Sequence, residues 1–136
     1  NLVRSVREKP HVTLHATADA AEMMRLRKAL LPRIEKATGV RLSPTDFVIW
    51  ACGRALVACP WINGHLENDT ISLYDSAQVG MAVALGRDGL IVPVIRDAHA
   101  IGLGAVAAER VRLAEKARAG TLTPADLSGA TFTVTN

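Results

Sequence analysis

The chain has 136 residues, of which 49% are hydrophobic and 21% are charged, a composition that is typical of one soluble globular domain. Its formal net charge of +3 includes 16 Lys and Arg residues with no run of five or more, which argues against a nucleic-acid-binding surface. No apolar stretch reaches the roughly 20 residues that a membrane span needs.

The first 40 residues predict a strand and then a long helix. Residues 11–18, HVTLHATA, alternate between apolar and polar side chains, which is typical of a half-buried strand. Asp19 then predicts an N-cap for a helix over 20–39, whose apolar residues recur at helical spacing. Pro32 should kink or split this helix, because proline breaks a helix interior, and Gly39 is a natural end.

A second helix is predicted after Ser43. This residue suits an N-cap, Pro44 suits the first helical position, and Asp46 favours the positive end of the helix dipole. The stretch FVIWACGRALVAC at 47–59 is apolar almost all round. We therefore expect a helix that is buried on most sides and ends at Pro60.

The two cysteines, Cys52 and Cys59, fall in this second helix. Their spacing along a helix separates them by roughly 10 Å, which is too far for a disulfide. We therefore expect buried free thiols in a reducing compartment.

Two pairs of strands are predicted next. Residues 61–66 and 70–74 are typical of two short strands joined by a turn at 67–69. Residues 79–85 and 90–95 are apolar at nearly every position and flank Gly-Arg-Asp-Gly, in which Asp-Gly is a strong hairpin signal. This second hairpin should lie in the middle of a covered sheet.

The remaining residues predict a helix, a single helical turn and a strand. Residues 103–119 are amphipathic and should end at Gly120, Thr-Pro-Ala-Asp at 123–126 predicts a capped turn, and 131–135 predicts a strand. The elements thus follow the order strand, two helices, four strands, helix and strand. We predict one α/β domain over 1–136, a two-layer sandwich with a mixed sheet.

Composition and spacing identify no general base. The histidines show no metal-ligand spacing on a helix, so a zinc site is unsupported. No complete dinucleotide, phosphate-loop or nucleophile-elbow motif occurs. We expect the histidines to have no catalytic role, and the one that follows Asp97 in a polar loop to be solvated. The four are His11, His15, His65 and His99.

The terminal strand carries a row of hydroxyls. Thr131, Thr133 and Thr135 should face one side of the strand, and Phe132 and Val134 the other. This pattern alone favours ordinary exposed strand threonines over a functional role.

Five stretches occur in an order and spacing that resemble one family. They are KPHVTLHA, which follows Ser5, then LSPTDFVIWACGRAL, CPWIN, VGMAVALGRDGLIVPVIRDA and LAEKARAGTLTPADLSGATFTVTN. Together they resemble the catalytic domain of the dihydrolipoamide acyltransferases, the E2 components of 2-oxo acid dehydrogenase complexes, over nearly the whole chain. The most specific pieces are DGLIVPVIRDA at 88–98 and LSGATFTVTN at 127–136.

The resemblance implies a fold, an activity and an assembly. The fold would be that of chloramphenicol acetyltransferase, here lacking its C-terminal third. Members of the family pass an acyl group from a lipoyl thioester to coenzyme A, and form homotrimers that build a hollow core with active sites between subunits. The lipoyl group and the contacts with the E1 and E3 components belong to preceding modules, which these residues do not include. From the scattered charges and the lack of a long apolar stretch we expect no nucleic-acid partner and no membrane span. The expected location is the cytoplasm, or the mitochondrial matrix in a eukaryote.

Thr135 is the one site residue that the resemblance carries over. In the family, the hydroxyl of the FT-[IV]-[ST]-N strand donates a hydrogen bond to the oxyanion of the tetrahedral intermediate, which in such sites is worth roughly 3–4 kcal/mol. The family's general base is the His of an H-x-x-x-D-G motif, and no histidine here stands in that motif. Because the chain also begins at Asn1 rather than Met, we expect a fragment that is inactive by itself, with its CoA-binding residues unassigned.

Several alternatives stay open at this point. Arg96 is expected to pair with Asp97, with contact to a CoA phosphate as the alternative, and His65 is expected to be a surface substitution. The acyl group could be acetyl, succinyl or branched-chain, with Thr135 leaning slightly toward succinyl. A catalytically silent structural component of the complex, and an acetyltransferase for a small alcohol or amine, are the alternative functions.

Overall fold

The computed structural model describes residues 12–86 and 89–136. These ranges contain helices, a short 3₁₀ turn at Pro60–Ile62, and short strands. The helices are α1 (Ala21–Thr38), α2 (Pro44–Ala58), α3 (Leu103–Ala119) and the single turn α4 (Pro124–Leu127). The strands are β1 (Gly64–Glu67), β2 (Thr70–Leu73), β3 (Val79–Met81), β4 (Val83–Ala84), β5 (Leu90–Ile91), β6 (Val94–Ile95) and β7 (Phe132–Val134).

Strand β3 is the centre of a mixed three-stranded sheet. It runs antiparallel to β6, with Val79 opposite Ile95, and parallel to β7, with Val79 opposite Phe132 and Met81 opposite Val134. Strands β4 and β5 continue the hairpin that β3 and β6 begin, again antiparallel. The predicted α/β class with a mixed sheet is confirmed. The predicted hairpin forms, but it is covered only in part: β3 and β6 are buried, whereas Ala84 and Leu90 of the β4–β5 pair are exposed. The predicted Asp-Gly turn lies partly at residues 87–88, outside the described residues.

Helices α2 and α3 pack on this sheet and close the main core. The buried side chains come from both helices, from β3, β4, β6 and β7, and from the loops beside them. A second, smaller cluster joins α1 to the start of α2 and to α3, through Leu42, Phe47 and Ala107. The fold therefore has a helical layer and a sheet layer, as the pattern of apolar residues predicts.

The strand predicted at 11–18 is wrong over 12–18, the part of it that the structure describes. Residues 12–20 form no regular element and are exposed, with Val12 at 84% and Leu14 at 89% exposure. A strand requires backbone partners, and no described strand pairs with this segment. The first residue of the prediction, His11, lies outside the described residues.

Helix α1 is continuous through Pro32, so the predicted split of the helix is wrong. Partly buried side chains on one face of α1, including Leu30 and Ile34, pack on the smaller cluster, and this burial offsets the backbone hydrogen bond that a proline removes. The helix ends as predicted at Gly39, which adopts φ 70° and donates its N–H to the Glu35 carbonyl.

Helix α2 begins at a buried ion pair. The Asp46 carboxylate accepts the Ser43 N–H at 2.6 Å and is held by Arg110 of α3, with 2.5 Å between Nε and Oδ1. Asp46 is fully buried. Burial of α2 on most sides is not observed, because its apolar residues Val48 and Val57 are 44% and 41% exposed.

The two cysteines of α2 lie in different environments. Cys52 is partly buried, and this burial raises the pKa of its thiol. Cys59 is exposed, so the predicted burial is wrong for this residue. Both are free thiols, as expected.

The first predicted hairpin forms with a shifted start. Its first strand begins at Gly64 rather than at Trp61, because Pro60–Ile62 form a 3₁₀ turn. Asn68 and Asp69 both have positive φ, 46° and 62°, and such a two-residue turn matches the twist of a hairpin.

Helix α3 and the turn α4 are joined by a cluster of charges around Asp126. Its carboxylate accepts hydrogen bonds from Lys116 Nζ at 2.6 Å and from the Thr123 N–H at 2.9 Å, and Arg112 lies 3.3 Å away. The Lys116 ammonium, and then the Thr123 backbone and hydroxyl, hold the pKa of Asp126 well below its usual range.

This depressed pKa predicts a loss of stability in acid. An unfolded Asp titrates near about pH 3.9, so the stabilisation is fully present above that pH and is lost as pH falls through the lower folded-state pKa. The urea midpoint of Asp126→Asn should lie below that of the wild type near neutral pH, and the gap should close below about pH 4. The exposed Glu115→Gln is the matched control, and an Asp126→Asn gap that persists unchanged in acid would contradict the prediction.

Candidate active site

Thr131, directly before β7, ties the start of this strand to the sheet. Thr131 is buried, its Oγ1 accepts the Gln78 N–H at 3.1 Å, and its own N–H donates to the Gln78 carbonyl at 2.8 Å. The hydroxyl of Thr131 is therefore a structural group that sets the register of β7 on β3.

The second threonine lies against a glycine of the central strand. A Cβ on Gly80 would stand 3.2 Å from Thr133 Oγ1 and 2.9 Å from Val92 Cγ1. The absence of a side chain at Gly80 therefore leaves room for the side chains of Thr133 and Val92 beside it. Thr133 itself is exposed.

Thr135 follows the last residue of β7 and lies between two fixed points. Before it, the carbonyl of the buried Val134 accepts the Ala82 N–H at 3.0 Å. After it, Asn136 Nδ2 donates to Thr45 Oγ1 at 2.9 Å. The side chain of Thr135 is exposed, and within residues 12–86 and 89–136 its hydroxyl makes no hydrogen bond. An anchored backbone therefore presents a hydroxyl that is free to donate.

The loop before β7 is held by Arg96. Its guanidinium Nη2 donates to the carbonyls of Ala125 and Ser128, both at 2.6 Å. The predicted Arg96–Asp97 ion pair is wrong. Asp97 has φ 48° and bonds instead to Gln78, whose Nε2 donates to its Oδ1 at 2.8 Å and whose Oε1 accepts its N–H at 3.0 Å.

The predicted solvent exposure is wrong for one histidine, His99. His99 is half-buried rather than solvated, and its Nδ1 accepts the Ala77 N–H at 3.2 Å. His65 is exposed, in agreement with a surface position, and meets the Tyr74 ring edge-on with 5.3 Å between centroids. His15 is exposed. No hydrogen bond joins any of these three described histidines to Thr135.

Two further classes of site receive no support from the described residues. In that part of the chain, no group of three or more His, Cys, Asp or Glu side chains could hold a metal ion. Nor does any helix there have the length and hydropathy to cross a membrane.

The sequence model of the 2-oxoacid dehydrogenases acyltransferase catalytic domain matches residues 1–136, the whole chain. The chain belongs to this acyltransferase family. Among curated relatives, the dihydrolipoyllysine-residue acetyltransferase component of the acetoin cleaving system of Bacillus subtilis is 37% identical over 97% of this chain and 33% of its own length. A mitochondrial dihydrolipoyllysine-residue succinyltransferase component of the 2-oxoglutarate dehydrogenase complex, from Saccharomyces cerevisiae, is 35% identical. That match covers 92% of this chain and 27% of the relative's own length.

Solved acyltransferase structures share the fold. Azotobacter vinelandii dihydrolipoamide acetyltransferase, in which a serine, a histidine and an asparagine have been investigated for roles in the catalytic mechanism, has a TM-score of 0.93 and 37% identity. The match covers 99% of this chain and 56% of that one. The cubic core of the pyruvate dehydrogenase multienzyme complex matches with a TM-score of 0.92 and 36% identity. That match covers 98% of this chain and 55% of the core chain. The chain thus spans about a third of the curated acetyltransferase and just over half of these solved chains.

Several contacts of this acyltransferase domain were not predicted from the sequence. The buried pair of Asp46 with Arg110 and the bond from Asn136 to Thr45 join residues 64 and 91 positions apart. Of these four residues, the sequence pointed only to Asp46, which lies three positions after the N-cap residue Ser43.

Proposed function

We propose that the protein to which this chain belongs transfers an acyl group from dihydrolipoamide to coenzyme A, within a 2-oxo acid dehydrogenase complex. The observation that carries the proposal is the placement of Thr135. The exposed hydroxyl of Thr135 lies just beyond the end of a sheet strand. The residues on either side of it, Val134 and Asn136, are both held by hydrogen bonds. The chain belongs to an acyltransferase family, and acyl transfer passes through an oxyanion that a fixed hydrogen-bond donor stabilises.

The proposed chemistry is a thioester exchange. The sulfur of coenzyme A attacks the carbonyl carbon of the acyl-dihydrolipoamide, and the carbonyl electrons move to oxygen. The Thr135 hydroxyl donates a hydrogen bond to this oxyanion and keeps its proton, and the bond is stronger to the developing charge than to the ground-state carbonyl. Collapse of the intermediate breaks the bond to the lipoyl sulfur. The proton from the CoA thiol passes to a general base and then to the departing lipoyl thiolate.

We assign the base to the histidine of the family's H-x-x-x-D-G motif rather than to a histidine of this chain. His99 already uses Nδ1 to accept the Ala77 N–H, and His65 lies on the β1–β2 hairpin against Tyr74. A histidine and a hydroxyl residue are also among the groups investigated for catalytic roles in the Azotobacter vinelandii enzyme. Those two kinds of side chain are the pair that this mechanism requires.

We further propose that the domain forms homotrimers within a larger core and works in the cytoplasm, or in the matrix of a mitochondrion. Two free thiols favour a reducing compartment. Similar solved chains are described as cores of multienzyme complexes. The lipoyl group, and the contacts with the E1 and E3 components, would belong to lipoyl and subunit-binding modules that precede the catalytic domain.

The test is product formation by the complete protein. Purified protein is mixed with coenzyme A and one of S-acetyl-, S-succinyl- or S-isobutyryl-dihydrolipoamide, and mass spectrometry measures the CoA thioester. We expect one acyl group to be transferred well above the enzyme-free rate. Relatives include both acetyl- and succinyltransferases, so all three thioesters are needed. No product from any of them would favour the catalytically silent structural component, and transfer only to an alcohol or amine would favour the small-molecule acetyltransferase.

A further inference from the structure

We propose that Thr45 is a positioning residue for Thr135, an inference that rests on the proposed function. Thr45 Oγ1 accepts a hydrogen bond of 2.9 Å from Asn136 Nδ2, across 91 positions of sequence. Asn136 directly follows Thr135, so this bond fixes the chain on the side of Thr135 that lies beyond the sheet. On the other side, the carbonyl of Val134 is already held by the Ala82 N–H.

Thr45 lies on a rigid part of the fold. It is the second residue of α2, directly before the fully buried Asp46. The Asp46 carboxylate accepts the Ser43 N–H and is paired with Arg110 of α3. One bond therefore closes the first turn of α2, and the other joins that turn to a neighbouring helix. Displacing the Thr45 backbone would disturb a buried ion pair, which is costly.

The hydroxyl of Thr45 has no role in starting the helix. The capping carboxylate comes from Asp46 rather than from Thr45, and a β-branched residue gives no advantage in helix propensity. Within the described ranges, 12–86 and 89–136, Asn136 is the hydrogen-bond partner of this hydroxyl and no other residue contacts it in that way. Its structural role is therefore directed at the end of β7.

This anchor matters because an oxyanion donor works only at the correct distance. A donor is effective at about 2.7–3.1 Å from the position of the oxyanion, and a shift of about 1 Å can cost two orders of magnitude in rate. Removing the Thr45 hydroxyl leaves Thr135 anchored on one side only. The transition state should lose stabilisation while the binding of coenzyme A changes little, because Thr45 holds the strand end and not the substrate.

The first arm of the experiment uses Thr45→Val, which keeps the shape of the side chain and removes the hydroxyl. In the CoA-thioester assay with the complete protein, kcat should fall roughly tenfold while KM for coenzyme A and the unfolding temperature stay near the wild-type values. Thr45→Ser restores the acceptor and should recover most of the kcat. A Thr45→Val variant with wild-type kcat would overturn the inference.

The second arm tests whether Thr45 acts through Thr135. In a Thr135→Ala background, Thr45→Val should cause no further loss of kcat, because the donor that it positions is already absent. An equal fold-loss in both backgrounds would overturn the positioning role. Wild-type activity of Thr135→Ala alone would instead contradict the proposed function, so the two failures are distinguishable.

Discussion

Replacing Thr135 with alanine is expected to lower kcat for CoA-thioester formation by about one hundredfold or more. The change removes an exposed hydroxyl that makes no hydrogen bond among the described residues and lies between two anchors, the Val134 carbonyl and the Asn136 side chain. Loss of one oxyanion donor costs roughly 3 kcal/mol of transition-state stabilisation in related sites. Because the oxyanion forms only during reaction, KM for coenzyme A should change little.

Two variants make the Thr135 result specific. Thr135→Ser keeps a hydroxyl and should retain most of the activity. Thr133→Ala removes an exposed threonine from the same face of the strand, two residues earlier, and should leave kcat close to the wild-type value. A change of less than about threefold in Thr135→Ala, far below the usual cost of losing such a donor, would remove Thr135 from the mechanism.

The largest expected loss of stability is that of Gly53→Ala. Gly53 is buried in α2, and a Cβ there would lie 2.6 Å from the Ala98 carbonyl carbon, 2.7 Å from its oxygen and 2.8 Å from the His99 nitrogen. All three atoms are backbone, so no side chain can rotate away and the helix must move from the loop. We expect a loss of about 3 kcal/mol in the free energy of unfolding, and a melting temperature lower by about 10 °C.

The control for Gly53 is a second helical glycine with space around it. A Cβ on Gly104 of α3 would meet Thr38 Cγ2 at 3.6 Å and Ile34 side-chain carbons at 3.8 Å, which are ordinary contacts. Gly104→Ala should therefore stabilise the protein by roughly 0.5–1 kcal/mol through helix propensity. Urea unfolding of both variants measures the contrast, and equal midpoints would contradict the close packing of α2 on the Ala98–His99 segment.

The helices were predictable because their signals are local. Ser43, Pro44 and Asp46 mark the start of α2 within four positions, and Gly39 and Gly120 end α1 and α3 in the left-handed conformation. The pairing of β4 with β5 and the terminal strand followed from equally local patterns. These features depend on neighbours in sequence, which the chain displays directly.

The errors arose where distant residues decide the outcome. Alternation at 11–18 says nothing about whether a partner strand exists, and none of the described strands pairs with 12–18. Arg96 and Asp97 are adjacent, yet distant groups satisfy both: the carbonyls of the α4 turn bind Arg96, and Gln78 binds Asp97. For the site, Thr135 was singled out by a family pattern, whereas the bond from the adjacent Asn136 to Thr45 is visible only in three dimensions.

The parallel pairing of β7 with β3 has a consequence for how the site comes into being. Parallel strands cannot be joined by a tight turn, and the bond between Thr131 and Gln78 closes a loop of 53 positions that contains the strands β3 to β6 as well as α3 and α4. Such closure carries an entropic cost until the intervening elements have packed. No short segment of this chain can hold the hydroxyl of Thr135 in place by itself, and the chemistry proposed for it would therefore require the completed tertiary structure.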